Sequence, residues 1–128
     1  MSELSPLGTM NSDSNQRVGS IGPLLSSTEG KIIDPDTGKS LGPNQRGELC
    51  IKGPQVMLGY LNDAERTKDC ISDEGWLRTG DEAYYDEEAF FYITDRIKEL
   101  IKVRGYQVRL FTLHLSFFIF LTKPGNLL

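Results

Sequence analysis

The stretch Gly75-Trp76-Leu77-Arg78-Thr79-Gly80-Asp81 is the most informative segment of this 128-residue chain. Its aromatic and aliphatic residues can anchor the start of a strand in a core. Gly80 has no Cβ, so another group can approach the backbone closely at that point. The ionised carboxylate of Asp81 only accepts hydrogen bonds, which suits a pair of neighbouring hydroxyls such as those of a ribose. Taken alone, the stretch favours an ordinary turn, because Gly and Asp are turn formers.

Composition is typical of a soluble globular protein, since 38% of the residues are hydrophobic and 25% are charged. The length suits one domain, or one small domain together with part of another. A formal net charge of −4 and a pI near 5.0 argue against broad nucleic-acid binding, which needs a basic surface.

The cysteines and the termini restrict the remaining protein classes. Cys50 and Cys70 are far apart and His114 is the only histidine, so no zinc-binding spacing is present. This usage favours a reduced intracellular protein over a disulfide. The start of the chain has no basic region followed by an apolar core, so no secretory signal is predicted. The final Asn-Leu-Leu is not a Ser-Lys-Leu signal, and both a cytoplasmic and a peroxisomal location stay open.

From Lys31 onward the pattern predicts short strands separated by turns. Residues 31–34 are apolar and β-branched, and the Pro-Asp-Thr-Gly sequence at 35–38 is a strong turn signal. Residues 47–53 alternate polar and apolar side chains between two glycines, which predicts a half-buried strand. Asn62 is predicted to cap a short helix over Ala64–Asp69.

Two hairpins are predicted further along. Residues 76–85 and 89–93 are rich in aromatic and β-branched residues, and an acidic turn at 86–88 joins them. Residues 95–103 alternate charged and apolar side chains, and a turn around Gly105 leads into a returning strand. Strands at this spacing with one helical insertion predict a mainly β fold, either a small barrel or a sandwich.

The character of the chain changes after Val108, because residues 110–121 are almost wholly apolar. A membrane-spanning helix needs about 20 apolar residues, so this run is too short and too interrupted. Its β-branched and aromatic content is typical of an aggregation-prone strand. His114 within it is interpreted as a passenger and not as a ligand or a base.

Four segments occur in the same order as the motifs of a known family. Residues 1–6 resemble the tail of a Tyr-Gly-Met-Thr-Glu motif, and residues 47–60 resemble that family's strand and tyrosine loop. Residues 75–81 match its Gly-Trp-x-x-Thr-Gly-Asp motif, and residues 95–108 match its hinge and the hairpin beyond it. Over roughly Met1 to Val108 the chain therefore resembles the adenylate-forming acyl-CoA ligases, the superfamily that includes 4-coumarate-CoA ligases and beetle luciferases.

The resemblance implies a fold and a domain organisation. It implies a distorted β-barrel subdomain followed by the hinge and the first hairpin of a C-terminal lid domain. The expected boundaries are residues 1–94 for the C-terminal part of the large AMP-binding domain, 95–108 for the hinge and the start of the lid, and 109–128 for a non-homologous apolar tail.

The resemblance also implies a reaction and its cofactors. In this family a carboxylic acid attacks ATP to give an acyl-adenylate and pyrophosphate, and the thiol of coenzyme A then takes the acyl group and releases AMP. We therefore expect ATP, magnesium and coenzyme A as cofactors and a small carboxylic acid as substrate. The family's phosphate loop and late catalytic lysine match no position here. We expect a truncated product that is inactive alone, because positioning and charge stabilisation act together in catalysis.

The resemblance suggests roles for individual residues. Asp81 would accept hydrogen bonds from the ribose hydroxyls, and Arg96 would bring a guanidinium near the ribose and phosphate. Ser2 would offer its hydroxyl to a phosphate, while Glu3 would help to hold magnesium, a cation that prefers oxygen ligands. The other predicted positions follow the hinge: Lys98 as the hinge residue, Lys102 and Gln107 as catalytic residues facing the adenylate during thioester formation, and Gly105 and Tyr106 beside the pantetheine channel.

Plainer interpretations remain open. Arg96 and Lys98 also fit solvated charges on a strand, because charged residues are mostly exposed. Lys102 also fits an edge-strand lysine that discourages pairing with other chains. Two alternatives to a ligase are a non-catalytic module that binds a partner or competes for one, and a β module whose motifs are only structural.

Overall fold

The computed structural model describes residues 1–97 and the backbone of two further strands, residues 100–103 and 106–109. The chain divides into two units, Met1–Asp95 and a second that begins at Arg96. The described part is mainly β with one short α-helix, which confirms the predicted fold class.

The larger sheet has five strands. In chain order they are β1 (Glu29–Ile33), β2 (Ser40–Leu41), β3 (Gly47–Lys52), β4 (Leu77–Tyr85) and β5 (Phe91–Arg96). Their spatial order is β2-β1-β3-β4-β5, and β1 pairs antiparallel with both β2 and β3, as β3 does with β4. A 3₁₀-helix covers Ser2–Leu4, helix α1 covers Ala64–Cys70, and β6 (Leu100–Val103) pairs with β7 (Tyr106–Arg109) in a separate antiparallel hairpin.

One face of the larger sheet carries the core. Ile32 pairs with Leu49, and Ile51 pairs with Leu77, so these side chains share a face. All four are at most 2% exposed. Burial of a side chain of this size contributes about 1.5–3 kcal/mol. The core therefore depends on the three central strands, with these further members around them: Leu4, Ala83 and Phe91.

Strand β3 differs from its prediction as a half-buried strand. Five of its six residues are buried, including both Glu48 and Cys50 on the face away from the core. Cys50 lies between Lys31 and Arg78 in the strand register, and long cationic side chains can cover a strand with their aliphatic stems. Burial raises the pKa of the Cys50 thiol to about 11.

Helix α1 begins at the predicted residue and extends one residue beyond Asp69, but the prediction of its cap was wrong. Asp63, and not Asn62, is the N-cap, and its Oδ1 accepts a hydrogen bond of 3.0 Å from the backbone N–H of Arg66. Asn62 has a φ of +56° and lies in the preceding turn. An asparagine adopts this left-handed conformation more readily than most residues, so Asn62 forms the turn and Asp63 caps the helix.

The N-terminal segment extends the hydrogen bonding beyond β5. Ile21 donates its backbone N–H to the carbonyl of Phe91 at 2.9 Å, and Gly22 forms an isolated antiparallel bridge with the same residue. Arg17, from this segment, forms ion pairs with Asp86 and Glu88 in the turn between β4 and β5. We call Arg17, Asp86 and Glu88 the turn cluster.

Trp76, directly before β4, lies beside two amino groups of the neighbouring strands. The Nζ of Lys31 is 4.1 Å from the centroid of the indole ring, and the Nζ of Lys52 is 5.8 Å from it. Both distances fall in the range of a cation–π contact. The single tryptophan therefore contacts β1 and β3 at the point where β4 begins.

Two further sequence predictions concern the apolar run near the end of the chain and the absence of a membrane-spanning helix. The apolar run at 110–121, including His114, and the residues after it lie outside the described residues. Among the residues that are described, none of the helices has the length and apolarity needed to cross a membrane.

Candidate functional site

Strand β4 contains a bulge at the Thr-Gly-Asp sequence. Glu48 pairs with Glu82, and Cys50 pairs with Arg78. Between these two pairs β3 advances by two residues, whereas β4 advances by four. The residues from Thr79 to Asp81 therefore oppose Leu49 alone, and the strand bends where Asp81 is presented.

Thr79 satisfies the backbone on one side of this bulge. Its Oγ1 donates a hydrogen bond of 2.9 Å to the carbonyl of Leu49, which the bulge removes from the regular ladder. The same oxygen accepts a hydrogen bond of 3.1 Å from the backbone N–H of Asp81. One hydroxyl thus connects β3 to the residue that is predicted to bind ribose.

Glu48 satisfies the other side of the bulge. Its Oε1 accepts the backbone N–H of Gly80 at 3.2 Å, and its Oε2 accepts both Nε and Nη2 of Arg78, the first at 2.8 Å. Glu48 is 5% exposed, whereas about half of the Arg78 side chain is exposed. The hydrogen bond to Glu48 raises the pKa of Arg78 above its usual range. We call Glu48, Arg78, Thr79 and Gly80 the sheet cluster.

Gly80 has a backbone conformation that suits glycine. Its φ is +73°, in the left-handed region that side chains disfavour. Apart from its two chain neighbours, no heavy atom of the described residues lies within 4 Å of the place where a Cβ would stand. The backbone next to the partly exposed Asp81 is therefore open to a bound group.

Glu3 lies on the 3₁₀-helix at the start of the chain and contacts the tyrosine loop. The hydroxyl of Tyr60 donates a hydrogen bond of 2.9 Å to Oε1 of Glu3, and the backbone N–H of Met57 donates to the Glu3 carbonyl, also at 2.9 Å. Its own backbone N–H and then the Tyr60 hydroxyl lower the pKa of the Glu3 carboxyl. Glu3 is therefore ionised at neutral pH.

Helix α1 supports Tyr60 in turn. The backbone N–H of Tyr60 donates to Oγ1 of Thr67 at 2.9 Å. The guanidinium carbon of Arg66 lies 4.2 Å from the centroid of the Tyr60 ring. The hydrogen bond to Glu3 raises the pKa of the Tyr60 hydroxyl. The helical insertion thus fixes the loop that contacts Glu3.

The first unit brings two predicted site segments onto one core. Leu4, next to Glu3, and Leu77, four positions before Asp81, belong to the same buried cluster. Ser2 precedes them and is exposed. The phosphate-side and ribose-side candidates are therefore attached to a common hydrophobic support.

The other predicted residues belong to the second unit. Arg96 is exposed and ends β5. Lys102 and Gln107 are cross-strand partners in the β6–β7 hairpin, and Tyr106 is opposite Val103. Lys98 and Gly105 lie outside the described residues.

The sequence analysis identified no role for three residues that the structure links to the site: Glu48, Thr79 and Tyr60. A signal for Glu48 exists in the sequence, because it is an acidic residue in an otherwise buried strand pattern. Its partner Arg78 is separated from it by 30 positions, so single-strand periodicity does not reveal the pair. Among the described residues, no group of three or more His, Cys, Asp or Glu side chains could hold a metal ion.

Comparison with known proteins gives consistent matches. The family model described as AMP-binding enzyme matches residues 1–61. The chain is 54% identical over 96 residues to luciferin 4-monooxygenase of Nipponoluciola cruciata, which covers 75% of this chain and 18% of that protein. It is 57% identical over 90 residues to 4-coumarate--CoA ligase 1 of Oryza sativa subsp. japonica, which covers 70% of this chain and 16% of that protein.

A solved structure gives the same result. The O-succinylbenzoate coenzyme A synthetase MenE of Bacillus subtilis, in complex with ATP and magnesium ion, has a TM-score of 0.75 and 34% sequence identity. The match covers 85% of this chain and 23% of that one. The chain thus spans less than a fifth of the length of the two curated relatives above. On these matches and on its motifs, the chain belongs to the family of AMP-binding enzymes, the adenylate-forming acyl-CoA ligases and luciferases.

Proposed function

We propose that this chain supplies the ribose-binding part of the nucleotide site of an AMP-forming acid–thiol ligase. The observation that carries the proposal is Asp81, a partly exposed acidic residue on a bulge whose backbone is held on both sides. A carboxylate can accept hydrogen bonds from two adjacent hydroxyls, as on a ribose. The bare backbone of Gly80 leaves room for the sugar.

Glu3 and Ser2 would serve the phosphate side of the same nucleotide. The lowered pKa of Glu3 keeps an anionic oxygen ligand available, which suits magnesium. A bound magnesium ion would neutralise part of the phosphate charge. The exposed hydroxyl of Ser2 would donate a hydrogen bond to a phosphate oxygen.

Residues of the second unit would act in the transfer to coenzyme A. Lys102 and Gln107 are cross-strand partners in the β6–β7 hairpin. Arg96 would contact the nucleotide, Lys98 would be the hinge, and Gly105 and Tyr106 would lie beside the pantetheine. These roles rest on the family's motifs and are proposals for this chain.

The proposed activity of the whole enzyme is activation of a carboxylic acid as its acyl-adenylate and transfer of the acyl group to coenzyme A. We expect the 128 residues alone to bind nucleotide without ligase turnover, since they span 16–18% of the relatives' length. A non-catalytic module that binds or competes for a partner is the second candidate, and the same share of length supports it.

Calorimetry with a sulfamoyl analogue of an acyl-adenylate tests the first candidate. We expect measurable binding to the chain and a loss of at least about tenfold in affinity for Asp81→Ala, because hydrogen bonds to a charged group are lost. Asp13→Ala is the matched control, since it removes the same charge from an exposed loop position. Equal affinities for the chain and Asp81→Ala would exclude the ribose-binding role.

The second candidate needs a different experiment. Affinity purification of the chain should then recover a full-length ligase of the same family, identified by mass spectrometry. Recovery that does not exceed that of an unrelated β domain of similar charge would remove this candidate.

A further inference from the structure

Glu48 is the starting point, because it is the only buried charged residue in the part of the chain that the structure describes. It is 5% exposed and belongs to the central strand of the five-stranded sheet. Burial of a carboxylate is unfavourable unless the group is paired and hydrogen-bonded. Apolar residues of similar volume often replace buried ion pairs without loss of stability. Sheet stability alone is therefore a weak explanation for an acidic residue here.

Within residues 1–97, the hydrogen bonds that Glu48 accepts all come from one segment of β4. Its three donors are Nε and Nη2 of Arg78 and the backbone N–H of Gly80. These donors belong to Arg78, directly before the bulge of β4, and to Gly80 within it. None of these donors belongs to β1, the other neighbour of β3. Glu48 therefore acts on the shape of the bulge.

Thr79 complements Glu48 at the next peptide. Glu48 holds the N–H of Gly80, whereas Oγ1 of Thr79 holds the N–H of Asp81 and is itself held by the carbonyl of Leu49. The two peptide groups that flank Gly80 are thus both fixed from β3. Without these hydrogen bonds, a glycine in the left-handed region would allow the backbone on either side to rotate.

We propose that Glu48 and Thr79 are positioning residues that fix the Asp81 carboxylate for the two hydroxyls of a ribose, and thereby set the preference of the site for ribose over a sugar without these hydroxyls. This inference rests on the proposed function of Asp81. Neither residue touches the nucleotide in this account; both act through the bulge. A displacement of the Asp81 carboxylate by roughly a few tenths of an ångström would weaken both hydrogen bonds to the sugar.

The test compares AMP with 2′,3′-dideoxy-AMP by calorimetry. We expect the unaltered chain to prefer AMP by about tenfold or more, because hydrogen bonds to a carboxylate are lost with the dideoxy compound. Thr79→Val removes the hydroxyl at nearly constant volume and should reduce the preference several-fold. Thr79→Ser keeps the hydroxyl and should restore it. Glu48→Gln should also reduce the preference, because an amide cannot accept all three donors.

The comparison separates positioning from general destabilisation. A merely structural role would weaken AMP and dideoxy-AMP equally and leave their ratio unchanged. In the Asp81→Ala background, Thr79→Val should cause no further change in the ratio. The Thr79 pair decides the outcome if Glu48→Gln does not fold.

The outcomes also separate this inference from the proposed function. Absence of AMP binding, or an unchanged ratio in Asp81→Ala, would overturn the proposed function and this inference with it. A ratio that collapses in Asp81→Ala but keeps its full value in Thr79→Val would overturn only the positioning role. A ratio reduced in Thr79→Val and recovered in Thr79→Ser would support it.

Discussion

The sheet cluster and the turn cluster use the same chemical groups in different surroundings. In the sheet cluster, Arg78 binds a carboxylate whose side chain is 7% exposed, in the centre of the sheet. In the turn cluster, Arg17 is 31% exposed and bridges Asp86 and Glu88, whose side chains are 19% and 68% exposed. One cluster fixes the strand that carries Asp81, and the other holds the N-terminal segment against a turn.

The difference shows where an arginine–carboxylate pair contributes to stability. Water and salt compete with an exposed pair, so its contribution is small and depends on ionic strength. Water does not compete for a buried carboxylate in the same way, and removal of this acceptor leaves its donors without a partner. We therefore expect the two clusters to respond very differently to the same kind of substitution.

Glu48→Ala should have the largest effect. It removes the acceptor of the part-buried N–H of Gly80 and truncates a buried side chain, so we expect a loss of about 2–3 kcal/mol in the free energy of unfolding. Arg78 adds little to this figure because about half of its side chain is exposed. Urea denaturation measures the change. The exposed Glu29→Ala is the control, and equal losses in the two variants would contradict a special role for the buried carboxylate.

Gly80→Ala should have the next largest effect, about 1–2 kcal/mol, because an L-residue is disfavoured at a φ of +73°. In the described part of the chain no atom lies close enough to clash with the added methyl group, so the loss would come from the backbone conformation. Gly80→Asn should recover part of it, since asparagine visits this region more readily. Gly42→Ala is the control, because it also has open space but an ordinary φ. Equal melting temperatures for the two alanine variants would contradict a conformational requirement for glycine at position 80.

Arg17→Met should have a smaller effect than either substitution in the sheet cluster. It removes the ion pairs to Asp86 and Glu88 and keeps an aliphatic side chain beside Phe90. Salt should weaken these pairs in the unaltered chain, so the difference in melting temperature between the two should shrink in 1 M sodium chloride. Arg46→Met, at an exposed position, is the control. A difference that grows with salt would contradict an electrostatic origin.

The pH dependence of the turn cluster should be the smallest effect. The hydrogen bond from Arg17 lowers the pKa of Glu88 below its ordinary value of 4.5. The pKa of Asp86 is also lowered, since its hydrogen bonds from Phe90, Tyr92 and Glu88 outweigh its desolvation. A carboxyl with a lowered folded pKa stabilises the fold above its unfolded pKa, and this stability is lost as the pH falls through the folded pKa.

Carboxyl chemical shifts in a pH titration measure these pKa values residue by residue. In Arg17→Met, the pKa of Glu88 should return toward 4.5. Asp86 should move less, because backbone and tyrosine hydrogen bonds remain. An unchanged Glu88 titration in Arg17→Met would mean that the ion pair does not persist in solution.

Much of the fold follows from the local pattern. The strand around Ile32, the turn after it and the helix after Asp63 depend on β-branched residues, turn formers and a capping carboxylate, all of which act within a few positions. The position of the cap failed by one residue, because Asn and Asp share both capping and turn preferences. Neighbouring residues of similar chemistry are not resolved by such rules.

Less of the candidate site could be predicted, because its parts meet across strands. The motif containing Asp81 was visible as a stretch of sequence, and Glu3 was visible at the start of the chain. The hydrogen bonds of Glu48 with Arg78 join positions 30 residues apart, and that of Tyr60 with Glu3 joins positions 57 apart. Periodicity within one strand contains no information about such contacts. The predicted half-buried state of β3 failed for the same reason.

Trp76 gives the molecule a built-in optical probe. It is the only tryptophan in the sequence, so the indole emission of the chain comes from one place. The amino groups of Lys31 and Lys52 approach its ring from β1 and β3, while its own backbone leads directly into the strand that carries the bulge. Any shift of β4 against those two strands changes the electric field at the indole. Events at Asp81 can therefore be followed by fluorescence without a label.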